Sequence, residues 1–383
     1  MPPYEDELTQ IVAELNRAAP SSRESREYSP ANLASLDELL AQAVRRTASD
    51  LLLIAGAAAC LRVGGQLAPT GPPLDDEGVR KLLFPLLTTD QHQELQRAKS
   101  VDLCFSREGI GRFRANVHHQ RGTIAGSIRL LPEKIPTLES LHLPPILRRF
   151  SEARQGLVLI TGQTGCGKSS TLAALLELIN TNRRDHVVTI EDPVEFVHTN
   201  RSSIIEQIEV GHDTPDFASS LRSILRQNPD VILVGEMRDP ETVATALTAA
   251  ETGHLVLSTL HTNDTSQAVS RILDTFPAGN QQQIRQQLSL ALLAIVAQQL
   301  VPGIGAVSRY PAVEILMATS GVRSLIRKGE DHQIYSAIST GRTEGMMTME
   351  QSLAEMVRAG KITRETAVAH CFRPEDLRRY MQD

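Results

Sequence analysis

The sequence predicts an α/β protein in which a parallel sheet carries a phosphate-binding loop, preceded by a smaller α+β domain. Three observations support this fold class. Four short apolar segments, beginning at Val158, Val187, Val231 and Leu255, alternate with longer helical patterns. A glycine-rich loop follows the first of them. The chain before Pro132 instead mixes helical patterns with strands that glycine turns connect. Continuous apolar strands separated by helices are typical of a parallel sheet buried on both faces.

The composition favours a cytoplasmic protein that does not coat nucleic acid. The 383 residues are enough for two domains, each with its own core. A net charge of −6 and only 3% aromatic residues argue against nucleic-acid binding. The cysteines include no C-x-x-C pair, which is typical of a reducing compartment and argues against a zinc site. The acidic N-terminus lacks the apolar run of a signal peptide, and no stretch is apolar enough for a membrane span.

Changes in sequence texture predict the domain boundaries. We expect a flexible extension over residues 1–34 and the α+β domain over residues 35–133. Residues 134–150 contain several prolines and are predicted to form a linker. Residues 151–383 are predicted to form the larger domain, which becomes mostly helical from about Ala312.

The elements of the first domain are predicted from local signals. Ser35 and Glu38 have the spacing of a capping box before a helix. Two strand segments follow, SDLLLIAG and ACLRVGGQLAP, and the second contains a turn at Gly64 and Gly65. Residues 75–99 show helical patterns, and residues 101–132 show strands.

The loop GQTGCGKSS fits the phosphate-binding pattern G-x-x-x-x-G-K-[ST]. An apolar strand precedes it and a helical pattern follows, which is the context that this loop requires. Its backbone N–H groups can surround a phosphate at a helix N-terminus. Lys168 would reach the β- and γ-phosphates, and the Ser169 hydroxyl would bind Mg²⁺. We therefore predict that the following residues bind ATP: Gly162, Gln163, Thr164, Gly165, Cys166, Gly167, Lys168, Ser169 and Ser170.

Cys166 places a thiol inside this loop. The positive charge of Lys168 and the N-terminus of the following helix favour the thiolate, so they should lower the pKa of the thiol. Burial among apolar groups would raise that pKa instead. The alternative is a small residue of which only the backbone N–H meets phosphate.

Acidic residues follow the next two predicted strands. Glu191, Asp192 and Glu195 come after the second strand, and Glu236 comes after the third. The carboxyl ends of parallel strands lie where such sheets bind ligands. Hydrolysis needs a carboxylate that orients or deprotonates the attacking water. Glu236 could bind the metal through water or hold the attacking water, whereas the first three acids could also form a solvated turn.

His254 and His261 stand at the two ends of the fourth strand. An extended strand of this length separates its ends by roughly 23 Å, so the two side chains cannot share one metal ion. His261 lies on the ligand edge and is predicted to sense the γ-phosphate or the attacking water. His254 is predicted to have a structural or interface role. The alternative is that both are ordinary loop histidines.

These motifs, in this order, resemble the secretion ATPases that drive type IV pili and type II secretion. The matching segments are the Walker A loop GQTGCGKSS, the Asp box TIEDPVEF, the atypical Walker B strand ILVGEMRD and the His box TGHLVLSTLHT. GRFRAN in the first domain and IYSAISTGRTEGMMTMEQSL near the end also match. The resemblance implies a PAS-like first domain, a RecA-like ATPase domain and a homo-hexameric ring that uses ATP and Mg²⁺.

The resemblance also implies roles for single residues. Glu195 corresponds to the catalytic glutamate of the Asp box, Glu236 to the Walker B acid and His261 to the second histidine of the His box. Arg112 and Arg129 stand where arginines of the first domain approach the phosphates in these rings. An added cation there would offset charge that develops on the transferred phosphoryl group. The alternative is that both arginines form ordinary ion pairs on strand faces.

Within the family, the chain resembles the pilus retraction branch, because it has neither the extra N-terminal domain nor the four-cysteine motif common among assembly and secretion members. It departs from the branch at GVRSLIRK, residues 321–328, and at Leu52, which replaces a histidine. We expect a motor at the cytoplasmic face of the inner membrane, held there by a pilus platform protein. The alternatives are an accessory paralogue, an assembly or secretion motor, a nucleic-acid motor of the same fold, and a regulatory ring without hydrolysis.

Overall fold

The computed structural model describes residues 35–305 and 308–382, so the predicted extension over residues 1–34 lies outside the described part. Contacts within the chain divide it into two units between Leu130 and Leu131. In the described residues, no helix combines the length and the apolar character that crossing a membrane requires.

The first unit mixes α-helices with an antiparallel sheet, as the sequence predicts. Its described elements are α1 (Leu36–Arg45), β1 (Asp50–Ile54), β2 (Ala58–Val63), β3 (Gln66–Pro73), α2 (Asp76–Leu83), α3 (Thr89–Ala98), β4 (Ser100–Arg107), β5 (Gly111–Gln120) and β6 (Thr123–Leu131). The strand order is β3-β2-β1-β6-β5-β4. Gly64 and Gly65 form the turn between β2 and β3.

The predicted capping box begins α1. The Glu38 backbone N–H donates to Ser35 Oγ at 3.2 Å, and the Ser35 N–H donates to the Glu38 carboxylate at 2.8 Å. The apolar side of α1 packs on the sheet, where Leu40, Leu51 and Phe113 are fully buried. The cap fixes where the helix starts, and the buried side chains fix which face meets the sheet.

The second unit is a larger α/β unit. Its described elements are α4 (Arg148–Glu152), β7 (Gly156–Thr161), α5 (Lys168–Asn182), β8 (His186–Glu191), β9 (Ile204–Glu209), α6 (Phe217–Ile224), β10 (Val231–Val234), α7 (Pro240–Glu251), β11 (Leu255–Leu260), α8 (Thr265–Asp274), α9 (Ala278–Ala291), β12 (Leu292–Pro302), β13 (Arg309–Met317), α10 (Ser320–Lys328), α11 (Ile334–Thr340), α12 (Met349–Arg358), α13 (Arg364–His370) and α14 (Pro374–Tyr380).

The sheet of the second unit has the order β13-β12-β7-β11-β10-β8-β9. Neighbouring strands from β12 to β9 are parallel, and β13 pairs antiparallel with β12. The predicted α/β class with a parallel sheet is therefore confirmed. The prediction that the chain is mostly helical from about Ala312 is wrong at its start, because Ala312 lies within β13 and the helices resume at Ser320.

The central strands are buried on both faces, as a parallel sheet between helices requires. All six residues of β7 are buried, and so are all six of β11. Successive residues of β7 point to opposite faces, so Leu159 and Ile160 belong to different apolar clusters. Leu175 of α5 packs in the cluster of Ile160, whereas Leu247 of α7 packs in that of Leu159.

Residues 134–150, for which the sequence predicts a linker, pack within the second unit. Leu138, Leu143, Leu147 and Phe150 are buried in the same apolar cluster as Ile160. Four large apolar side chains give this segment a place in the core, in spite of its prolines.

A buried carboxylate joins β13 to the start of α8. Glu314 is 4% exposed. It accepts hydrogen bonds from the N–H of Thr265 at 2.9 Å and from the Thr265 hydroxyl at 2.7 Å. Burial raises the pKa of the Glu314 carboxyl, and the charges of Asp264 and Glu350 act in the same direction. The two hydrogen bonds from Thr265 oppose this shift without reversing it.

The raised pKa predicts how stability depends on pH. Native Glu314 holds its proton more tightly than the unfolded chain, so its contribution to stability falls as pH rises through the native pKa. Glu314→Gln removes the charge and keeps an acceptor oxygen for Thr265. We expect it to raise the Tm by about 2–4 °C near pH 8, which corresponds to ~1 kcal/mol, and by less near pH 5.

Calorimetry at the two pH values measures this difference. Thr265→Val is the matched control, because it removes one donor to the same carboxylate and should lower the Tm at both pH values. A Tm of Glu314→Gln that falls below wild type in alkaline solution would show that the ionised carboxylate is stabilising.

Candidate active site

The carboxyl ends of β7, β8, β10 and β11 lie along one edge of the sheet, because these strands are parallel neighbours. The glycine-rich loop leaves β7 there. Gly162 has a φ of 145°, in the region that favours glycine. A Cβ on Gly162 would lie 2.2 Å from the carbonyl oxygen of Gln298 and 2.6 Å from Cys166 Sγ. The first glycine of the motif is therefore needed for the close approach of β12 as well as for its φ.

Lys168 begins α5, and its side chain turns back into the loop. The Nζ donates to the carbonyl oxygens of Gly162 at 2.8 Å and Gln163 at 3.2 Å. Lys168 as a whole is 8% exposed. The loop thus encloses the Lys168 ammonium group, which donates its hydrogen bonds to carbonyl oxygens of the loop backbone.

The groups that act electrostatically on Lys168 lie in the segments that follow β7, β8 and β10. Burial lowers the pKa of the Lys168 ammonium, and the nearby Cys166 sulfur opposes this shift. The Glu236 and Glu195 carboxylates also oppose it, so both negative charges lie within electrostatic reach of the ammonium. The structure brings together Lys168, Glu195 and Glu236, which the sequence places at one edge.

The Asp box contains two glutamates in different surroundings. Glu191 accepts hydrogen bonds from Thr189 Oγ1 at 2.7 Å and Gln207 Nε2 at 3.1 Å. Burial raises the pKa of the Glu191 carboxyl, and the charge of Glu195 adds to this effect. Among the described residues, the Glu195 carboxylate has no hydrogen-bond partner. Glu191 is thus held within the fold, whereas Glu195 is available to a ligand.

Glu236 and His261 meet at the same edge. The Gly235 N–H donates to the carbonyl oxygen of Ile190 at 2.7 Å, which holds the end of β10 against β8. Glu236 beyond it is 13% exposed and lies 3.4 Å from His261 Nε2 and 2.7 Å from Arg238 Nε. The contact between Glu236 and His261 joins the Walker B segment to the His box, as predicted from their position at the same edge of the sheet.

His254 lies at the opposite end of β11 from His261, as predicted. Its Nδ1 is 2.9 Å from the carbonyl oxygen of Ala249, and its backbone N–H donates to the same oxygen at 3.1 Å. These contacts tie His254 to the end of α7. Within the described ranges, no group of three or more His, Cys, Asp or Glu residues is arranged to hold a metal ion.

The two arginines proposed to act on phosphate lie in the first unit and differ in their surroundings. Arg129 Nε is 3.2 Å from Asp50 Oδ1, and Arg62 pairs with the other oxygen at 3.3 Å. Arg129 therefore has the ordinary ion pair that was the alternative interpretation. Arg112 lies on β5, opposite Ser106 of β4. Its buried Nη1 has no hydrogen-bond partner among the described residues. A role at the phosphates stays a prediction for both.

Two opposing effects on the thiol of Cys166 were expected, and burial is the larger. Cys166 is 5% exposed. Burial raises the pKa of its thiol, against the smaller lowering effects of the Lys168 charge and backbone. The charge of Lys168 lowers the pKa as expected, but the opposing effect of burial sets the net direction.

The loop has a support that the sequence analysis missed. Gln298 on β12 donates from Nε2 to the carbonyl oxygen of Cys166 at 2.6 Å. Its Oε1 accepts from Thr171 Oγ1 at 2.9 Å. Gln298 is distant from the loop in sequence. Two glutamines, Gln298 and Gln299, interrupt the apolar run LLAIVAQQLVP, and this interruption is the signal that could have pointed to it.

The residues present fit a nucleotide with Mg²⁺. The backbone of Gln298 and the sulfur of Cys166 fill the space that a side chain on Gly162 would need, and the Lys168 ammonium supplies positive charge. Ser169 lies in the first turn of α5, and Glu236 follows β10 at the same edge of the sheet. A hydroxyl and a carboxylate are the oxygen ligands that Mg²⁺ prefers.

Comparison with known proteins agrees with this geometry. Residues 141–374 match the family described as Type II/IV secretion system protein. The type IV pilus retraction ATPase PilT of Pseudomonas aeruginosa is 42% identical over 343 residues, which cover 89% of this chain and 99% of PilT. The type IV pilus ATPase PilU of the same bacterium is 40% identical over 343 residues, covering 89% of this chain and 90% of PilU.

A solved structure extends the likeness to the fold. The crystal structure of the pilus retraction motor PilT with bound ADP has a TM-score of 0.85 and 41% sequence identity, and the match covers 91% of this chain and 100% of that chain. The resemblance found in the motifs is thus confirmed over most of the sequence. This chain belongs to the Type II/IV secretion system protein family and is similar over about nine tenths of its length to the type IV pilus ATPases PilT and PilU.

Proposed function

We propose that this protein is a Mg-ATP-hydrolysing motor that drives retraction of type IV pili. The observation that carries the proposal is the parallel pairing of β7, β11, β10 and β8, which brings the loop of Lys168 and the segments of Glu195 and Glu236 to one edge of the sheet. A cation for the phosphates and two carboxylates for metal and water are the minimal set for phosphoryl transfer to water. The similarity to a relative named as a retraction ATPase supports the direction of action.

The loop binds the phosphates of ATP. Its backbone N–H groups and the start of α5 supply partial positive charge. Lys168 exchanges the carbonyl oxygens of Gly162 and Gln163 for phosphate oxygens. Ser169 and Glu236 hold Mg²⁺, directly or through water. The metal, when bound, neutralises charge on the phosphate oxygens.

Glu195 accepts the proton of the attacking water. Its carboxylate has no hydrogen bond to the described residues, so it is available to a water molecule. Glu191 in the same box is instead held by Thr189 and Gln207. His261 reports the state of the γ-phosphate through its contact with Glu236, since the two side chains are 3.4 Å apart. His254 keeps a structural role at the other end of β11.

The working form is a homo-hexamer in which residues 35–133 form a PAS-like domain and residues 151–383, with residues 134–150 packed in the same core, form a RecA-like domain. Arg112 reaches the phosphates from a neighbouring subunit. Arg112 is preferred to Arg129 because its Nη1 has no hydrogen-bond partner among the described residues, whereas Arg129 is held by Asp50. The ring acts in the cytoplasm, against an inner-membrane platform protein of the pilus. An accessory or assembly role is the second candidate, because PilU, whose name as a type IV pilus ATPase gives no direction of action, is 40% identical as well.

Hydrolysis is tested at Glu195. Glu195→Gln keeps the size of the side chain and removes the base, so it should bind ATP and hydrolyse it at least about 100-fold more slowly. Lys168→Ala should lose ATP binding as well as hydrolysis. Phosphate release and binding of a fluorescent nucleotide measure the two effects. Glu206→Gln on the exposed edge strand β9 is the matched control and should turn over as wild type. Fast hydrolysis by Glu195→Gln would move the base to Glu191 or Glu236.

The ring is tested by mixing two inactive variants. Arg112→Ala lacks the cation, and Glu195→Gln lacks the base. If Arg112 acts across a subunit boundary, mixed rings contain sites with both groups intact, and hydrolysis should return to about a quarter of wild type for random equal mixing. Arg114→Ala, two residues along β5, should not need rescue. Wild-type activity in a proven monomer would exclude action between subunits.

The direction of the motor is tested by deleting its gene in the native host. Loss of retraction should abolish twitching and leave surplus surface pili, because assembly continues. Complementation with wild type should restore movement, and complementation with Glu195→Gln should not. Cells without any pili would indicate an assembly motor instead. Cells with normal pili and normal twitching would contradict a role in the pilus.

A further inference from the structure

We propose that Gln298 is a positioning residue for the phosphates: its carboxamide, presented by β12, turns the Cys166–Gly167 peptide so that the Gly167 N–H faces the nucleotide. This inference rests on the proposed nucleotide-binding function and deepens it. None of the sequence motifs of the site contains Gln298. It comes from a strand that pairs with β7 on the side away from the Asp box.

The orientation of the carboxamide follows from its two partners. A backbone carbonyl oxygen can only accept, so the group facing the Cys166 oxygen at 2.6 Å must be the Nε2 of Gln298. The Oε1 then faces the Thr171 hydroxyl at 2.9 Å, which can donate. Gln298 is 3% exposed and Thr171 is fully buried. Both hydrogen bonds therefore lie where water does not compete for them.

Four carbonyl groups of the loop face protein donors, and one of them is that of Cys166. Lys168 Nζ holds those of Gly162 and Gln163, and Thr171 holds that of Gly167 at 3.0 Å through its backbone N–H. Of these donors, Lys168 leaves for the phosphates when a nucleotide binds. The donor to the Cys166 carbonyl comes from outside the loop and its helix, and it can stay in place while a nucleotide binds.

Holding a carbonyl oxygen also sets the next N–H. In a planar trans peptide, the C=O and the N–H point in opposite directions. Fixing the Cys166 oxygen against β12 therefore directs the Gly167 N–H to the other side, at the N-terminus of α5. There it adds to the partial positive charge of the helix end. A peptide turned the other way would present an oxygen to the phosphates and repel them.

The packing around Gln298 leaves little space for another arrangement. A Cβ on Gly167 would lie 2.9 Å from Gln298 Nε2, so the second glycine of the motif makes space for the carboxamide. The first glycine makes space for the Gln298 backbone oxygen. Two invariable features of the motif pattern, Gly162 and Gly167, therefore face the same residue of β12.

The next residue of the strand offers a matched control. Gln299 points to the opposite side of β12, where its Nε2 donates to the carbonyl oxygen of His370 at 2.8 Å. It has the same side chain on the same strand and the same type of hydrogen bond to a backbone oxygen. Its partner belongs to α13 and not to the loop.

The experiment compares Gln298→Met with Gln299→Met. Methionine keeps the length of the side chain and loses both hydrogen bonds. We expect Gln298→Met to weaken binding of a fluorescent ADP analogue by about 10-fold or more and to raise the KM for Mg-ATP equally, because a buried carbonyl loses its donor. Its kcat should stay within about 3-fold of wild type, since Glu195 and Glu236 are untouched. Gln299→Met should change neither constant.

A second variant guards against misfolding. Thr171→Val keeps the shape of the side chain and removes the hydroxyl that holds Oε1, so it should weaken ADP binding by a smaller factor, about 3-fold. Equal affinities of Gln298→Met and Gln299→Met would overturn the inference about Gln298 while leaving the proposed function intact. A folded wild-type protein that binds no ADP would overturn both.

Discussion

The site depends on the burial of one ammonium group. An unpaired charge inside a protein is costly, and Lys168 is 8% exposed. The loop meets this cost with two of its own carbonyl oxygens, and the strand ends add the negative charges of Glu195 and Glu236. Parallel pairing is what makes the second contribution possible, because it brings the carboxyl ends of separate strands to one edge. The arrangement holds a cation ready for a more negative partner.

Much of this could be predicted because the signals are local. The loop pattern, the apolar strands and the capping box of Ser35 and Glu38 are each contained in a short segment of sequence. The strands β9, β12 and β13 were missed for physical reasons. β9 lies at the sheet edge and is only half-buried, so it lacks an apolar run. β12 follows α9 without a break, so its apolar run continues that of the helix.

Local sequence patterns could not predict contacts between segments that are distant along the chain. The carboxamide of Gln298 and the carboxylate of Glu314 each act on a residue far away along the chain. A polar residue in an apolar run indicates that a partner exists, but not which one. The net effect on the Cys166 thiol depends on how deeply the loop is packed, which a motif does not encode. The sequence likewise does not distinguish Arg112 from Arg129. Both lie on strands of the first unit, but among the described residues only Arg129 has an acidic partner, Asp50.

The packing of residues 134–150 bears on how such motors can be recombined. Their apolar side chains, Leu138, Leu143, Leu147 and Phe150, complete the core around Ile160. Suppose that the first domain is exchanged between two relatives and that the crossover lies after these residues. The core of one protein would then pack against side chains that evolved to fit the core of the other. A crossover just before residue 134 keeps each core with its own complement. Gene fusions and natural shuffling of these motors should therefore preserve that junction.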